Sequence, residues 1–329
     1  MTKRRITTVD VANLANVSQR TAARVFASPE LVADDTRRAV EAAAAELGYV
    51  PNAIARSLKS RRSGIVGVVV PSSGQYYHEV VRQLARALAR VGEQLLVFSF
   101  DSADVDDTIA AVRGYQLDGL VLASATVPGD LLERASEGRR LVSFNDPAPH
   151  EGIPSVSVDN EAGIAALVDH VAELGARSIT FVNGLRAAAT NKLRRSTSRR
   201  RAQSLGLTWN EVDGRAFTYD GGRRAGAALL TGDLPDVAMA ASDELAFGII
   251  DELRSGGATI GHDIKVSGFD GLAQASWQAY DLTTIEQPLD SLIDETVRLV
   301  LPGQVDTPLR ITTPGILRAR SSTNGPTPR

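Results

Sequence analysis

The stretch Val9–Ala27, VDVANLANVSQRTAARVFA, decides how the chain begins. Val9, Val11, Ala12, Leu14 and Ala15 recur at helical spacing and predict an apolar helical face. Thr8 is placed as its N-cap, with Asp10 in the first turn, where an acid meets the positive end of the helix dipole. The pattern breaks at Ala15-Asn16-Val17-Ser18. Asn16 tolerates the left-handed conformation of a tight turn, and Ser18 is placed to cap a second helix. Gln19 and Arg20 then fall in its first turn and Arg24 one turn later on the same face, while Ala22, Val25 and Phe26 point into a small core. Two cations four residues apart repel modestly unless an anion lies against them. Two readings fit these residues. One is an ordinary helical hairpin with a polar face. The other is a helix-turn-helix whose second helix enters the DNA major groove. There Arg can donate two hydrogen bonds to guanine, and Gln can pair with adenine.

Outward from this unit, Asp34–Leu47 reads as a third helix, with two acids at its positive end, an alanine-rich middle and Gly48 to stop it. YVPNAIARSLKSRRSG follows. Pro51 can open a helix. Asn52–Leu58 is only about two turns, too short to be stable alone in water. Leu58 stands among Arg56, Lys59, Arg61 and Arg62. The segment reads either as a basic linker or as a helix that folds in the minor groove and wedges Leu58 between base steps.

The first 62 residues carry eleven cations and six anions, a net of about +5, against −3 for the whole chain of 329 residues. A small basic module on an acidic body of about −8 suggests a polyanion for the module, and equally fits a well-solvated head. With no cysteine, disulfide and thiolate chemistry is excluded, and a reducing cytoplasm is compatible. MTKRRITT lacks the apolar region of a secretory signal, and no apolar run approaches membrane-spanning length.

From Ser63 onward short apolar runs recur: IVGVVV, QLLVFSF, DGLVLAS, RRLVSFN, SVSVD, SITFVNG, DVAMAAS and IKVSGFD. Helical stretches such as Glu79–Val91 and Glu161–Leu174 separate most of them. This alternation predicts an α/β body with largely parallel sheets in two lobes, and a cleft between them. Ligands of such sheets sit at the carboxyl ends of strands. The residues to watch are therefore Ser72, Asn145, Asp146, Asp159, Asn160, Asn183, Ser242, Asp243 and Asp270.

Order, spacing and chemistry in TTVDVANLANVSQRTAARVF and TRRAVEAAAAELGYVPNAIARSL resemble the LacI/GalR family of bacterial transcriptional repressors. In the body, VSVDNEAG, HVAELGARSITFVNG, ASDELAFGIIDELRSGG, IKVSGFDGL and LTTIEQPL carry the same likeness. The resemblance implies a helix-turn-helix head over residues 1–50 and a hinge helix over 51–62. It implies a periplasmic-binding-protein-like core over 63–323, with lobe 1 at about 63–159 and 289–308 and lobe 2 at about 160–288 and 309–323. Residues 324–329 form a tail with no heptad pattern. It further implies that Thr7, Ser18, Gln19, Arg20, Thr21 and Arg24 in the head, and Asn52, Ala55 and Leu58 in the hinge, face DNA. Effector contacts implied in the core are Tyr76, Tyr77, Asn145, Arg194, Phe217, Ser242, Asp243, Asp270 and Trp277. Among them Phe217 and Trp277 could stack on a sugar face, while Arg194 and Asp270 bind hydroxyls; core packing is an equal reading of Trp277. The partners implied are a palindromic operator, a sugar or sugar phosphate, and a second copy of the chain; a membrane is not among them.

The chain departs from the family pattern at Asn16, Ala22-Ala23 and Ala33 in the head. In the core it departs at Phe144–Pro147, Ala176, Thr197-Ser198 and Ser242. NKLRRSTSRRRAQ is unusually cationic; a solvated helix face explains it, and an anionic effector is the alternative. HEVVR at His78 lacks the second histidine of a zinc-protease motif. With four histidines in the chain, metal sites are not expected, nor any cofactor. GGRRAG at Gly221 resembles a phosphate loop only loosely. No nucleophile elbow or P-loop occurs, so the reading is a regulator and not an enzyme.

Overall fold

The computed structural model describes residues 6–27, 31–49, 62–101, 104–123, 139–146, 152–301, 303 and 310–325. It forms two compact units, Met1–Gly64 and Ile65–Arg329.

In the first unit, α1 (Thr8–Leu14), α2 (Gln19–Ala27) and α3 (Asp34–Leu47) surround a core of Val11, Ala12, Ala22, Val25, Val40, Ala43 and Ala44. The N-cap of α1 is Thr7, not Thr8 as the sequence suggested. The Thr7 hydroxyl accepts from the Asp10 N–H, and the Asp10 carboxylate accepts from the Thr7 N–H at 2.8 Å, a reciprocal capping box. Thr8 instead bonds the Tyr49 hydroxyl at 2.6 Å, tying α1 to the end of α3. Val9 and Leu14 are exposed, so the apolar stripe of α1 is narrower than its spacing implied. Asn16 takes φ 51° in the turn, and the Ser18 hydroxyl accepts from the Thr21 N–H at 3.0 Å to cap α2. Gly48 (φ 62°) ends α3, with the Tyr49 N–H on Ala44 and the Gly48 N–H on Ala45 in a Schellman arrangement. The hinge positions Asn52, Ala55 and Leu58 lie outside the described residues.

The second unit contains two six-stranded sheets. The first comprises β1 (Ile65–Pro71), β2 (Gln94–Phe100), β3 (Gly119–Leu122), β4 (Arg140–Phe144), β5 (Ser155–Val158) and β11 (Arg310–Thr313), in the order β11-β5-β4-β3-β1-β2, all parallel. Its helices are α4 (Gln75–Arg90), α5 (Val105–Arg113) and α10 (Leu289–Val300). The second comprises β6 (Ser178–Asn183), β7 (Thr208–Asp213), β8 (Val237–Ala240), β9 (Lys265–Asp270), β10 (Thr283–Glu286) and β12 (Ile316–Arg318), in the order β12-β10-β9-β8-β6-β7. Only the β12–β10 pairing is antiparallel. Its helices are α6 (Asn160–Glu173), α7 (Ala189–Ser204), α8 (Tyr219–Leu229), α9 (Asp243–Ser255) and the short α11 (Ser321–Asn324).

The unbroken apolar runs are explained by burial on both faces. In β1, Val66, Val68 and Val70 pack with Leu84 and Leu88 of α4 and with α10. Val69 faces the opposite side with Ile109 and Val112 of α5. Each such fully buried aliphatic side chain contributes roughly 1.5–3 kcal/mol. The chain crosses between sheets at 158–160, 286–289 and 313–316. Because β11 pairs with β5, residues 310–313 belong to the first lobe; the last crossing lies after Thr313 and not near residue 309. GGRRAG forms the first turns of α8. A Cβ on Gly222 would collide with the Leu245 carbonyl, so these glycines let α8 and α9 touch backbone to backbone and do not cradle phosphate. Among the described residues no helix is long and apolar enough to cross a membrane.

Candidate DNA-reading and effector sites

On the first unit, Ser18, Gln19, Arg20 and Arg24 are exposed along the start and one edge of α2. Neither Arg20 nor Arg24 has an ion-pair partner among the described residues. Exposed arginines without such a partner can meet an outside anion. Thr21 is half-buried, and its hydroxyl is bonded to that of Ser18 at 2.8 Å. The Thr7 hydroxyl is likewise bonded, to Asp10 at 2.7 Å. These two therefore shape the helix ends, and the three long polar arms project.

In the second unit, a cavity of about 270 Å3 lies where the strands of both sheets end. That is near the lower end of the roughly 300–1,000 Å3 typical of small-molecule sites. The first lobe supplies Pro71 at the end of β1 with Ser73 and Gly74 after it, Tyr76 and Tyr77 of α4, Phe100 and Asp101 at the end of β2, and Asn145 after β4. The second supplies Leu185, Ala188, Thr190, Arg194, Arg215–Thr218, Ser242, Glu244 and Asp270. Three lining residues hold positive φ without being glycine: Asn145 (60°), Arg215 (69°) and Asp270 (131°). Such strain concentrates where a site needs a side chain aimed against local preference. Gly184 has no Cβ to meet the Phe217 ring, which can therefore lie against the backbone and form a cavity wall.

Arg194 is 2% exposed. Its Nε donates to Asn160 Oδ1 at 2.8 Å and its Nη1 to the Ala241 carbonyl at 2.7 Å. The guanidinium lies 3.7 Å over the Phe269 ring and 3.6 Å from Asp270 Oδ1. Burial pulls the Arg194 pKa down, and Asp270 opposes this. Burial raises the Asp270 pKa, against the pull of Arg194. The Tyr77 phenol is pushed up to about 12 by burial and the Tyr76 phenol is raised too, so both act as neutral hydroxyls. Asn145 donates to the Tyr77 hydroxyl at 3.3 Å, while its buried Oδ1 has no partner and is available to a ligand donor.

Seven of the nine residues expected at the effector site meet in this cavity: Tyr76, Tyr77, Asn145, Arg194, Phe217, Ser242 and Asp270. Asp243 and Trp277 do not. Asp243 is fully buried, and its carboxylate accepts from the Leu272 N–H at 2.8 Å and the Thr284 hydroxyl at 2.5 Å. It braces α9 against β10 and has no free oxygen to offer. Trp277 is 55% exposed, so it is not packed in the core, and it does not line the cavity. Three arginines of the cationic stretch in α7 are ion-paired on the surface: Arg195 with Glu211, Arg200 with Glu161 and Arg201 with Asp169, while Arg199 lies over Trp209 and Lys192 is exposed. Of the cations in this stretch only Arg194 lines the cavity. Sequence reasoning missed Asp101, Thr190, Arg215 and Glu244. Asp101 directly follows a quoted strand, and that signal could have found it. Among the described residues no three acids or histidines gather as a metal-holding group.

The fold and the two sites together define a class: a helix-turn-helix head with a two-lobed, periplasmic-binding-protein-like body. Residues 7–52 match the bacterial regulatory proteins of the lacI family, and residues 168–323 match the periplasmic binding protein-like domain. The HTH-type transcriptional regulator CelR of Thermobifida fusca is 30% identical over 337 residues, spanning 97% of this chain and 99% of that one. Two of the similar solved structures show the likeness over nearly the whole chain. One is the lac repressor dimer bound to operator and the anti-inducer ONPF (TM-score 0.83, 24% identity, 97% of this chain and 99% of that one). The other is a transcriptional regulator CelR–cellobiose complex (TM-score 0.71, 28% identity, 97% and 100%). The chain belongs to the LacI family of bacterial transcriptional regulators. It is a DNA-binding regulator, and its relatives are regulators, not enzymes.

Proposed function

We propose that the protein is a repressor that binds a palindromic operator as a homodimer and is controlled by an uncharged, sugar-like effector held between the two lobes. Gln19, Arg20 and Arg24 read base edges, and phosphate contacts supply salt-dependent affinity. Residues 51–62 act as a hinge that folds on DNA, with Leu58 wedged at the operator centre. The chains pair mainly through the first lobe. Effector binding changes the angle between lobes and so the reach of the hinges, a coupling that is necessarily reciprocal.

The observation that carries the effector reading is the cavity lining. Aromatic walls (Phe100, Phe217, Tyr76, Tyr77) surround hydrogen-bonding groups (Asn145, Thr190, Ser242), a lining typical of small-molecule sites and suited to the apolar faces and hydroxyls of a sugar. Its charges are Asp101, Glu244 and Asp270 against Arg215 and an Arg194 already committed to protein acceptors. This balance disfavours a phosphate. The cellobiose complex of the CelR neighbour adds a precedent for a neutral disaccharide.

The test is a thermal-shift titration with cellobiose, other neutral mono- and disaccharides, and sugar phosphates. A ligand at a hundred times its Kd stabilises the folded state by about 2.7 kcal/mol. Stabilisation by a neutral saccharide, with altered operator affinity in fluorescence anisotropy, is expected. Stabilisation by phosphates alone would overturn the effector class.

A further inference from the structure

Helix α4 begins without a cap of its own. Its N-cap is Gly74 (φ 108°), which has no side chain to offer the free N–H groups of the first turn. The missing acceptor comes from the other lobe: the Gln75 N–H donates to Glu244 Oε2 at 3.0 Å. Glu244 sits in the first turn of α9, so one carboxylate lies at the positive ends of two helices on opposite sides of the cavity it lines. Two further bonds reach the same turn from beyond the first lobe. The Gln274 amide donates to the Gln75 side chain, and the Tyr76 hydroxyl donates to Gln287 Oε1 at 2.8 Å. Gln287 in turn donates to Asp270 Oδ1 at 2.9 Å, joining this turn to the cavity floor. Of these contacts only that of Glu244 carries a full charge to a helix end.

We propose that Glu244 is the positioning residue that sets the angle between the lobes, by capping α4 across the cavity. Removing the cap lets the lobes part, and any cavity ligand then binds a less populated arrangement with lower apparent affinity. The proposal concerns the lobe angle alone, so it stands or falls independently of whether the effector is a sugar. An N-cap of ordinary strength corresponds to a shift of roughly 5- to 30-fold between the two arrangements.

The chain has no cysteine, so spin labels can be placed without background. Asp104 in the first lobe and Lys192 in the second are exposed and suit D104C and K192C. Electron–electron resonance on the full-length protein then reads the interlobe distance without ligand. One dominant distance is expected for the labelled parent, and a second, longer population in E244A. E244Q keeps a neutral acceptor and should fall between. Q75P deletes the N–H from the other side at the first helical position, where proline is tolerated. Because it also removes the Gln75 side chain that accepts from Gln274, it should widen the distribution at least as much as E244A, and E244A/Q75P should go no further than Q75P alone. Far-UV circular dichroism establishes that each variant is folded; if E244A is not, E244Q and Q75P decide the question. An unchanged distribution in the folded variants, or additive widening in the double variant, overturns the proposal.

Discussion

Replacing Arg194 with methionine isolates the electrostatics of the cavity floor. Methionine is long and unbranched and can keep the packing on Phe269, so the main loss is polar. Asn160 Oδ1, the Ala241 carbonyl and Asp270 lose a donor or a counter-charge together. Removing one partner of a buried pair costs about 3–5 kcal/mol. That cost should depend on pH with a definite sign. Burial already raises the folded-state pKa of Asp270, and Arg194 is the first influence that lowers it. Without Arg194 the folded carboxyl holds its proton to still higher pH, whereas the unfolded one releases it near about 4. Below the parent's folded pKa both proteins bury a neutral acid, and the cost is that of the lost hydrogen bonds. Above it the parent releases the proton into an ion pair that the variant lacks. The variant therefore falls behind by up to about 1.4 kcal/mol per pH unit. Urea unfolding followed by tryptophan fluorescence suits the measurement, because Trp209 and Trp277 both lie in the second lobe. A larger loss at about pH 8 than at about pH 6 is expected, with the difference largely removed when Asp270→Asn is added. A loss below about 1 kcal/mol, or one equal at both pH values with and without Asp270→Asn, refutes the reasoning.

Three further outcomes are expected. Gly248→Ala would drive a Cβ into the Tyr219 carbonyl and to 2.8 Å from the Arg223 nitrogen, forcing α8 and α9 apart. It should cost about 1–3 kcal/mol in urea unfolding, while Gly232→Ala, with nothing within 4 Å, stays within about 0.5 kcal/mol. Arg20→Ala should lose about 1–3 kcal/mol of binding to its operator in anisotropy at fixed salt, with little loss on scrambled DNA; equal losses would reduce Arg20 to a phosphate contact. Burial lowers the His170 pKa, so between about pH 7 and about pH 5 the unfolded chain binds more protons than the folded one and stability falls on acidification. His170→Gln keeps a partner for the Thr323 hydroxyl, 2.9 Å away in the parent, and should flatten that dependence of the melting temperature; an unchanged slope assigns it to other groups.

How far the chain could be read in advance follows from the range of the forces involved. The head is built from signals a few residues apart: Asn16 for the turn, Ser18 for the α2 cap and Gly48 for the end of α3. Such signals survive in one dimension, and even the misplaced α1 cap was off by a single residue. The buried strands were visible as apolar runs because both of their faces are covered. Strands β7, β10, β11 and β12 were not recognised. The sheet-edge strands β7, β11 and β12 alternate polar and half-buried residues, and β10 is the short polar segment Thr283–Glu286.

The helix-turn-helix, the parallel two-lobed body and the family resemblance are legible in one dimension, because spacing, caps and turns are local and add up along the chain. Which polar residues share the cavity emerges from the packed fold. Asp243 and Glu244 are adjacent in sequence, yet the first is spent on Leu272 and Thr284 inside its own lobe, while the second crosses to Gln75. Trp277, read as either a sugar platform or a core residue, is exposed, and three arginines of the cationic run in α7 are paired with Glu161, Asp169 and Glu211. Each outcome depends on partners 16 to 169 residues away or on the direction a side chain leaves its element, and neither is written in local pattern.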